Sequence, residues 1–384
     1  MIERFSDWGG FLVNHLWEAT LFAVLVVLLT IGLRRSPARI RHRLLLVASL
    51  KFLLPTAVVV SCGRALGLPM PNVASLSWWR ADGLASPLAG AENLFGTVGF
   101  ALLLVWAAGA VWLASRQWRL RRSLVALARS GRPLADDHPL APVITRARRH
   151  AGVDRAITCR WVDDLPSPAV WGVRRPVLLL PVGLGQHLSA DELDAVLVHE
   201  LEHVRRRDNL IASLQSFLRA VFWFHPLVWW LDRRLLAERE RACDERVVAV
   251  LGEPKLYARG LLKVVRFGLE STLPGNLSPR AIPGAAATAS DLERRIEHIV
   301  TPSGPQRSAA WSHRFAAVVV ALLFTLSLIA SGQGHCDVAS RLTVELTERY
   351  TGTGASVQSG DVLQHFPAKP PKVCQERKKR IERW

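Results

Sequence analysis

Four long apolar runs decide most of what this chain can become. They read FLVNHLWEATLFAVLVVLLTIGL from Phe11 to Leu33, LLLVASLKFLLPTAVVVSC from Leu44 to Cys62, LFGTVGFALLLVWAAGAVWLAS from Leu94 to Ser115, and FAAVVVALLFTLSLIAS from Phe315 to Ser331. At 1.5 Å of rise per helical residue, the first is long enough to cross a hydrocarbon core of about 30 Å. The other three are read the same way, the fourth being the shortest. The arginine clusters RRSPARIRHR, RQWRLRR and RSAAWSHR all lie on one side of these runs, and the Ala65–Glu92 loop on the other side is nearly free of basic residues. Loop arginines accumulate on the cytosolic face of a membrane, so both termini are expected outside and Arg116–Arg314 in the cytosol. The first run lacks the basic start and small-residue cleavage site of a signal peptide.

Composition matters here because the formal net charge is +17. A basic soluble chain would suggest nucleic acid as a partner, but most of this charge flanks the apolar runs, so the bilayer is the expected partner and direct nucleic-acid binding is not. Lys51 within the second run is read as snorkelling to the headgroups, the alternative being a buried functional charge; Glu18 and His15 in the first run carry the same ambiguity. Cys159 and Cys243 fall on the cytosolic side and should be reduced, whereas Cys336 and Cys374 share the oxidising side and could form a bridge.

The expected fold is a mainly α multi-pass membrane protein, with an α+β domain inserted between the third and fourth of four transmembrane helices. Residues 1–43 hold the first span and a basic loop, 44–115 the second and third spans, 116–270 the cytosolic domain, 271–314 a flexible loop and short helix, 315–331 the fourth span and 332–384 an extracytoplasmic tail. The domain opens with a basic helical linker, Arg116 to about Arg132. WGVRRPVLLLP carries a strand signal. SADELDAVLVHELEHV begins with a capping box of Ser189 and Glu192, and Leu193, Val196, Leu197, Leu201 and Val204 recur at helical spacing. Asn209–Leu231 approaches spanning length but holds Arg219 and His225-Pro226, so it reads as one or two buried helices that could lie against the bilayer, the alternative being a membrane span. DRRLLAERERACDERVVAVLG reads as a charged helix stopping at Gly252.

The chemistry is concentrated in AVLVHELEHVRRRDNL, Ala195 to Leu210. Helical positions four apart share a face, so His199 and His203 can aim both imidazoles at one metal ion. Glu200, about 100° around the helix, suits a carboxylate that takes a proton from a water activated by that ion. Chance can spell H-E-x-x-H on a solvated helix, so the motif needs support. A catalytic zinc wants a third protein ligand and an open position. Glu240 and Asp244, four apart in ERERACDE, offer one carboxylate to the metal and one to orient a ligand histidine, unless they are an ordinary charged helix face. Asp208 could orient His199 or His203, or merely pair with a neighbouring arginine. His225 and Tyr257 could stabilise an oxyanion, or be hydrogen-bonded core residues.

Together, DELDAVLVHELEHVRRRDNL, FWFHP, ERERACDERVV, SPAVWGVRRPVLLLP and DLERRIEHIV resemble the BlaR/MecR family of integral-membrane metallopeptidases, transducers that release a transcriptional repressor. The resemblance implies a cytosolic gluzincin-type zincin with one zinc ion per chain, held by His199, His203 and Glu240. It implies Glu200 as general base and Asp244 as the acidic residue behind a ligand. It also implies a protein substrate, a cytosolic transcriptional regulator or the chain itself; a homodimer is compatible with it. His225 stands where the family's asparagine is expected. No S-x-x-K follows Ser331, so a penicillin-binding sensor and antibiotic acylation are not expected. Two other readings stay open, an inactive signalling scaffold and a membrane quality-control metallopeptidase with broad substrates.

Overall fold

A computed structural model describes residues 2–55, 65, 92–135, 137–163, 165–271 and 289–301. The contacts divide the chain into two units, residues 1–15, 55–87 and 322–384 in one and 16–54 and 88–321 in the other. Of the first, little beyond the opening half of one helix is described. The second holds the elements that build the site.

The chain is mostly helical. Helix α1 spans Ile2–Gly32, α2 Ala38–Lys51 and α3 Glu92–Ser130. Two of these are long and apolar enough to cross a membrane, at His15–Gly32 and within Val98–Ser130. In α1, Ala19, Phe22, Ala23 and Val26 are buried, while Trp17, Leu21, Leu28 and Ile31 face outward. α3 presents Phe100, Leu102, Val105, Val111 and Trp112 to the exterior. Helices apolar on every side suit a hydrocarbon surround. The third apolar run and the basic linker are one continuous helix of 39 residues. The second run differs from expectation. Its helix starts early, after Pro37, and stops at Lys51, giving way to turns before Pro55, whose ring disfavours helix at the preceding residue. The remainder of that run, the expected fourth span, Cys336 and Cys374 lie outside the described residues. Lys51 does not snorkel: its Nζ is buried 3.7 Å from Glu18 Oε2, pairing α2 with α1.

A four-stranded sheet follows, formed by β1 (Arg132–Pro133), β2 (Thr158–Val162), β3 (Ala169–Trp171) and β4 (Val177–Pro181) in the order β1-β2-β4-β3. WGVRRPVLLLP thus holds the end of one strand and all of the next, paired antiparallel. Gly172 turns between them at φ 97°, where a Cβ would meet Arg175 O at 2.6 Å. Helix α4 (Ala141–Ala151) precedes β2, and a short α5 (Leu184–His187) follows β4.

The central helix, α6 (Ala190–Arg206), starts as its sequence predicts. Ser189 Oγ accepts from Glu192 N at 3.2 Å, and Glu192 Oε2 accepts from Ser189 N at 2.9 Å. Its stripe of Leu193, Val196, Leu197, Leu201 and Val204 is buried against Leu178 and Leu180 of β4, Ala147 of α4 and Val247 beyond. α6 ends at Arg207, whose left-handed φ of 58° starts α7 (Asp208–Val221) at once. The chain breaks at Phe222–His225. α8 (Pro226–Leu251) then runs unbroken to a left-handed Gly252, longer than the charged segment alone suggested, because Pro226 fits the first helical turn. α9 (Pro254–Ser271) and α10 (Ala289–Val300) complete the described chain.

Two sets of contacts tie this domain to the apolar helices. Trp106 of α3 donates to Val221 O at 2.8 Å and Gln117 to Ser216 O at 3.0 Å. Arg41 of α2 brings both Nε and Nη2 to Glu238 Oε2 of α8, each at 2.8 Å, and Glu245 of α8 accepts from the first amide of α2 at 3.0 and 3.1 Å.

Candidate metal centre

α6 places His199 and His203 one turn apart, with ring centroids 4.9 Å from each other. α8 crosses behind them and brings in Glu240. Its Oε2 lies 3.4 Å from His199 Nε2 and its Oε1 3.9 Å from His203 Nε2. A tetrahedral ion with bonds of about 2.0–2.1 Å needs ligand atoms roughly 3.4 Å apart. The two imidazole nitrogens and the carboxylate therefore fit one zinc ion, and they form one of two groups among the described residues that could hold a metal.

The far side of each ring is engaged as such a site requires. His203 Nδ1 lies 2.7 Å from Asp208 Oδ2, so its N–H donates there and its Nε2 lone pair faces Glu240. His199 Nδ1 lies 2.9 Å from the Tyr257 hydroxyl, which donates to Asp244 Oδ1 at 2.5 Å and is left to accept from the ring. Carboxylate backing of this kind fixes a ligand's tautomer and orientation. The second group, His203, Asp208 and Cys243, reaches His203 through this same Nδ1 and so backs the first; Cys243 is a buried free thiol 3.5 Å away.

Charges converge on these groups. Burial works against ionising Glu240, but Arg239, His203 and Arg295 outweigh it and hold the carboxyl well below its usual range. Arg239 reaches Glu240 Oε1 at 2.9 Å and Arg295 reaches Oε2 at 3.6 Å. Burial likewise opposes a charge on His199, yet Asp244 and Glu240 raise its pKa to about 9, so a metal ion entering there displaces a proton. Glu200 goes the other way. Burial, with the charge of Glu240, pushes its carboxyl up against the pull of the two histidines.

The structure thus gathers His199, Glu200, His203, Glu240, Asp244 and Asp208. Asp208 contacts His203 at 2.7 Å, and Asp244 lies 3.3 Å from His199. His225 is the correction. It caps the start of α8, fifteen residues before Glu240 and hence roughly 22 Å away along the helix. Its Nε2 lies 3.0 Å from Thr20 Oγ1 and its ring packs edge-on against Phe52, so an oxyanion role has no geometric basis. Tyr257 is the hydrogen-bonded core residue, 1% exposed behind His199. The sequence reading passed over Arg239 and Arg295. The second had a signal, since Arg295 is four residues before buried Ile299 and so shares its face of α10.

The model of the BlaR1 peptidase M56 family matches residues 11–299. The chain belongs to the BlaR1 peptidase M56 family. Over 161 residues it is 33% identical to the regulatory protein BlaR1 of Bacillus licheniformis, an alignment covering 41% of this chain and 26% of that protein. It is 26% identical over 109 residues to the methicillin resistance mecR1 protein of Staphylococcus aureus, covering 28% and 19%. It is also 28% identical over 161 residues to protease HtpX homolog 2 of Methanosarcina mazei, covering 30% of this chain and 54% of that protease. The chain spans about a quarter or less of the BlaR1 and mecR1 proteins and about half of the protease. The M56 match includes both membrane-length helices, the sheet and every residue of the candidate centre.

Proposed function

We propose that this M56 member is a multi-pass zinc endopeptidase of the cytoplasmic membrane, of gluzincin type, which cleaves a cytosolic regulatory protein, itself, or both. One observation carries the reading: two imidazole Nε2 atoms from α6 and a carboxylate from α8 converge at tetrahedral ligand spacing, each histidine backed by an acidic residue or its relay. His199, His203 and Glu240 would hold the ion. Bound there, zinc would polarise a peptide carbonyl and make a water acidic enough to ionise near pH 7. Glu200 accepts that proton at its carboxylate and returns it to the leaving amine. Asp208 and the Tyr257–Asp244 pair keep the imidazoles aimed.

The reading carries four membrane spans, with both termini outside and the centre in the cytosol, and the charge bias supports that orientation. Exposed Arg34, Arg35, Arg39 and Arg43 cluster beyond the end of α1, as do Arg116, Arg119, Arg121 and Arg122 beyond the apolar part of α3. The name of one relative, regulatory protein BlaR1, favours a regulator as substrate. The likeness to an HtpX protease favours a second reading, a peptidase of broad specificity. Comparing fragments in cells carrying wild type and Glu200→Gln separates the two, one product against many. The same variant tests the mechanism. Cleavage should vanish with about one zinc still bound per chain, and undiminished cleavage would refute the role of Glu200.

A further inference from the structure

Arg295 makes contacts that the proposed chemistry does not use. It projects from α10, the twelve-residue helix between residues 272–288 and the chain that continues beyond 301. Its Nε donates to Asp244 Oδ2 at 2.9 Å and its Nη2 to Asp244 Oδ1 at 2.8 Å, a parallel fork that fixes the plane of the carboxylate. Asp244 Oδ1 also receives the Tyr257 hydroxyl and lies 3.3 Å from His199 Nδ1. The remaining nitrogen, Nη1, stands 3.6 Å from Glu240 Oε2, the oxygen nearest His199 Nε2. One guanidinium therefore touches the carboxylate that backs a candidate ligand and the carboxylate that is itself a ligand.

We propose that Arg295 is a positioning residue of the metal centre, and that docking of α10 completes the centre by delivering it. The inference rests on His199, His203 and Glu240 being the metal site. Asp244 and Tyr257 are each 1% exposed, so water cannot replace the fork when it is lost. Without it the buried carboxylate turns, Tyr257 loses its acceptor geometry, and His199 is no longer held with Nε2 toward Glu240. A helix as short as α10 is not stable by itself, so its position is set by tertiary contacts. Among the described residues those contacts include Ile296 and Ile299, which pack on the core, and His298, 3.6 Å from Glu245 of α8. Any event that draws α10 away withdraws the guanidinium and loosens the ion.

The test uses the full chain in detergent micelles and reads zinc affinity by competition with a chromophoric chelator. Wild type is measured first. If it binds no zinc, the metal-site reading itself fails. Given binding, Arg295→Ala should weaken affinity about 10- to 100-fold, the usual effect of losing an outer partner of a metal ligand. Arg295→Lys, which keeps the charge but not the fork, should fall between, and millimolar guanidinium should restore part of the loss in Arg295→Ala. Arg294→Ala, on the exposed side of the same helix, should bind as wild type does. Cobalt-loaded protein gives a second readout, because a displaced His199 alters the visible bands of a four-coordinate site. Should Arg295→Ala fail to fold, Arg295→Lys decides alone. Wild-type affinity and spectrum in the folded Arg295 variants, or equal weakening by Arg294→Ala, would overturn the proposal.

Discussion

Asp208 follows immediately after the one described non-glycine residue with positive φ, and its carboxylate meets His203 Nδ1 at 2.7 Å. The left-handed Arg207 ends one helix and starts the next without a loop, so Asp208 folds back under the histidine five residues before it. It is 1% exposed, and Arg206 Nε approaches its other oxygen at 3.3 Å. Asp208→Asn keeps the shape but removes the charge that draws the His203 proton. Zinc affinity should drop about 10- to 100-fold while the circular dichroism spectrum stays the same. Unaltered affinity in chelator competition would remove Asp208 from the centre.

Arg207 itself is exposed, so its conformation is retained for what it places rather than for its own contacts. Arg207→Gly should raise stability by about 0.5–1 kcal/mol, because glycine accepts φ near 58° without a Cβ penalty. The check is a thermal midpoint in one detergent, with zinc content unchanged.

The Arg41–Glu238 pair is buried, with the glutamate fully enclosed. Arg234 and Arg241 also reach Glu238, at 3.0 and 3.2 Å. Arg234 and Arg241 still compensate Glu238 Oε1 when Arg41 is lost, but Oε2 is left without its partner, so Arg41→Met should destabilise by about 1–3 kcal/mol. Replacing both residues with apolar ones should recover much of that. A double variant no more stable than Arg41→Met would show that α2 and α8 are not held together by this pair.

His42 supplies a pH dependence. It is 3% exposed, and its Nε2 has no hydrogen-bond partner among the described residues. Burial, with the charges of Arg206 on α6, Arg239 on α8 and Arg43 on α2, lowers its pKa to about 4, and Asp208 on α7 offsets only part of that. A folded pKa below the unfolded value of 6.5 means the fold prefers the neutral ring. The contribution is intact above about pH 6.5 and is lost as pH falls toward 4, up to about 3 kcal/mol. Unfolding midpoints of wild type should decline across that window, and those of His42→Leu should decline less. Parallel slopes would exclude His42 as the cause.

What the sequence showed and hid divides by range. The start of α6, its buried stripe and the shared face of His199 and His203 depend on residues three and four apart, and these are legible in any helix. Glu240 needed more, because 37 positions and two helix ends separate it from His203; spacing to Asp244 and a family likeness supplied it. Arg295 was hidden by its company. In DLERRIEHIV the two arginines look alike, yet a 100° step turns Arg294 to solvent and Arg295 to Asp244. His225 misled because a histidine before a proline looks poised for chemistry, whereas the break that Pro226 permits leaves it at the far end of α8. Similarly, Lys51 read as a charge escaping to headgroups because its partner, Glu18, sits on another helix.

The length of α3 carries a mechanical implication. At 1.5 Å per residue its 39 residues extend about 58 Å, against a hydrocarbon layer of about 30 Å. Near its end, Ala128 and Leu127 pack on Val162, Leu179 and Trp171 of the sheet. Were it to move as one rod with about 30 Å of its length in a bilayer, leaning by about 10° would swing the remaining 28 Å by roughly 5 Å, more than the rise of one strand residue.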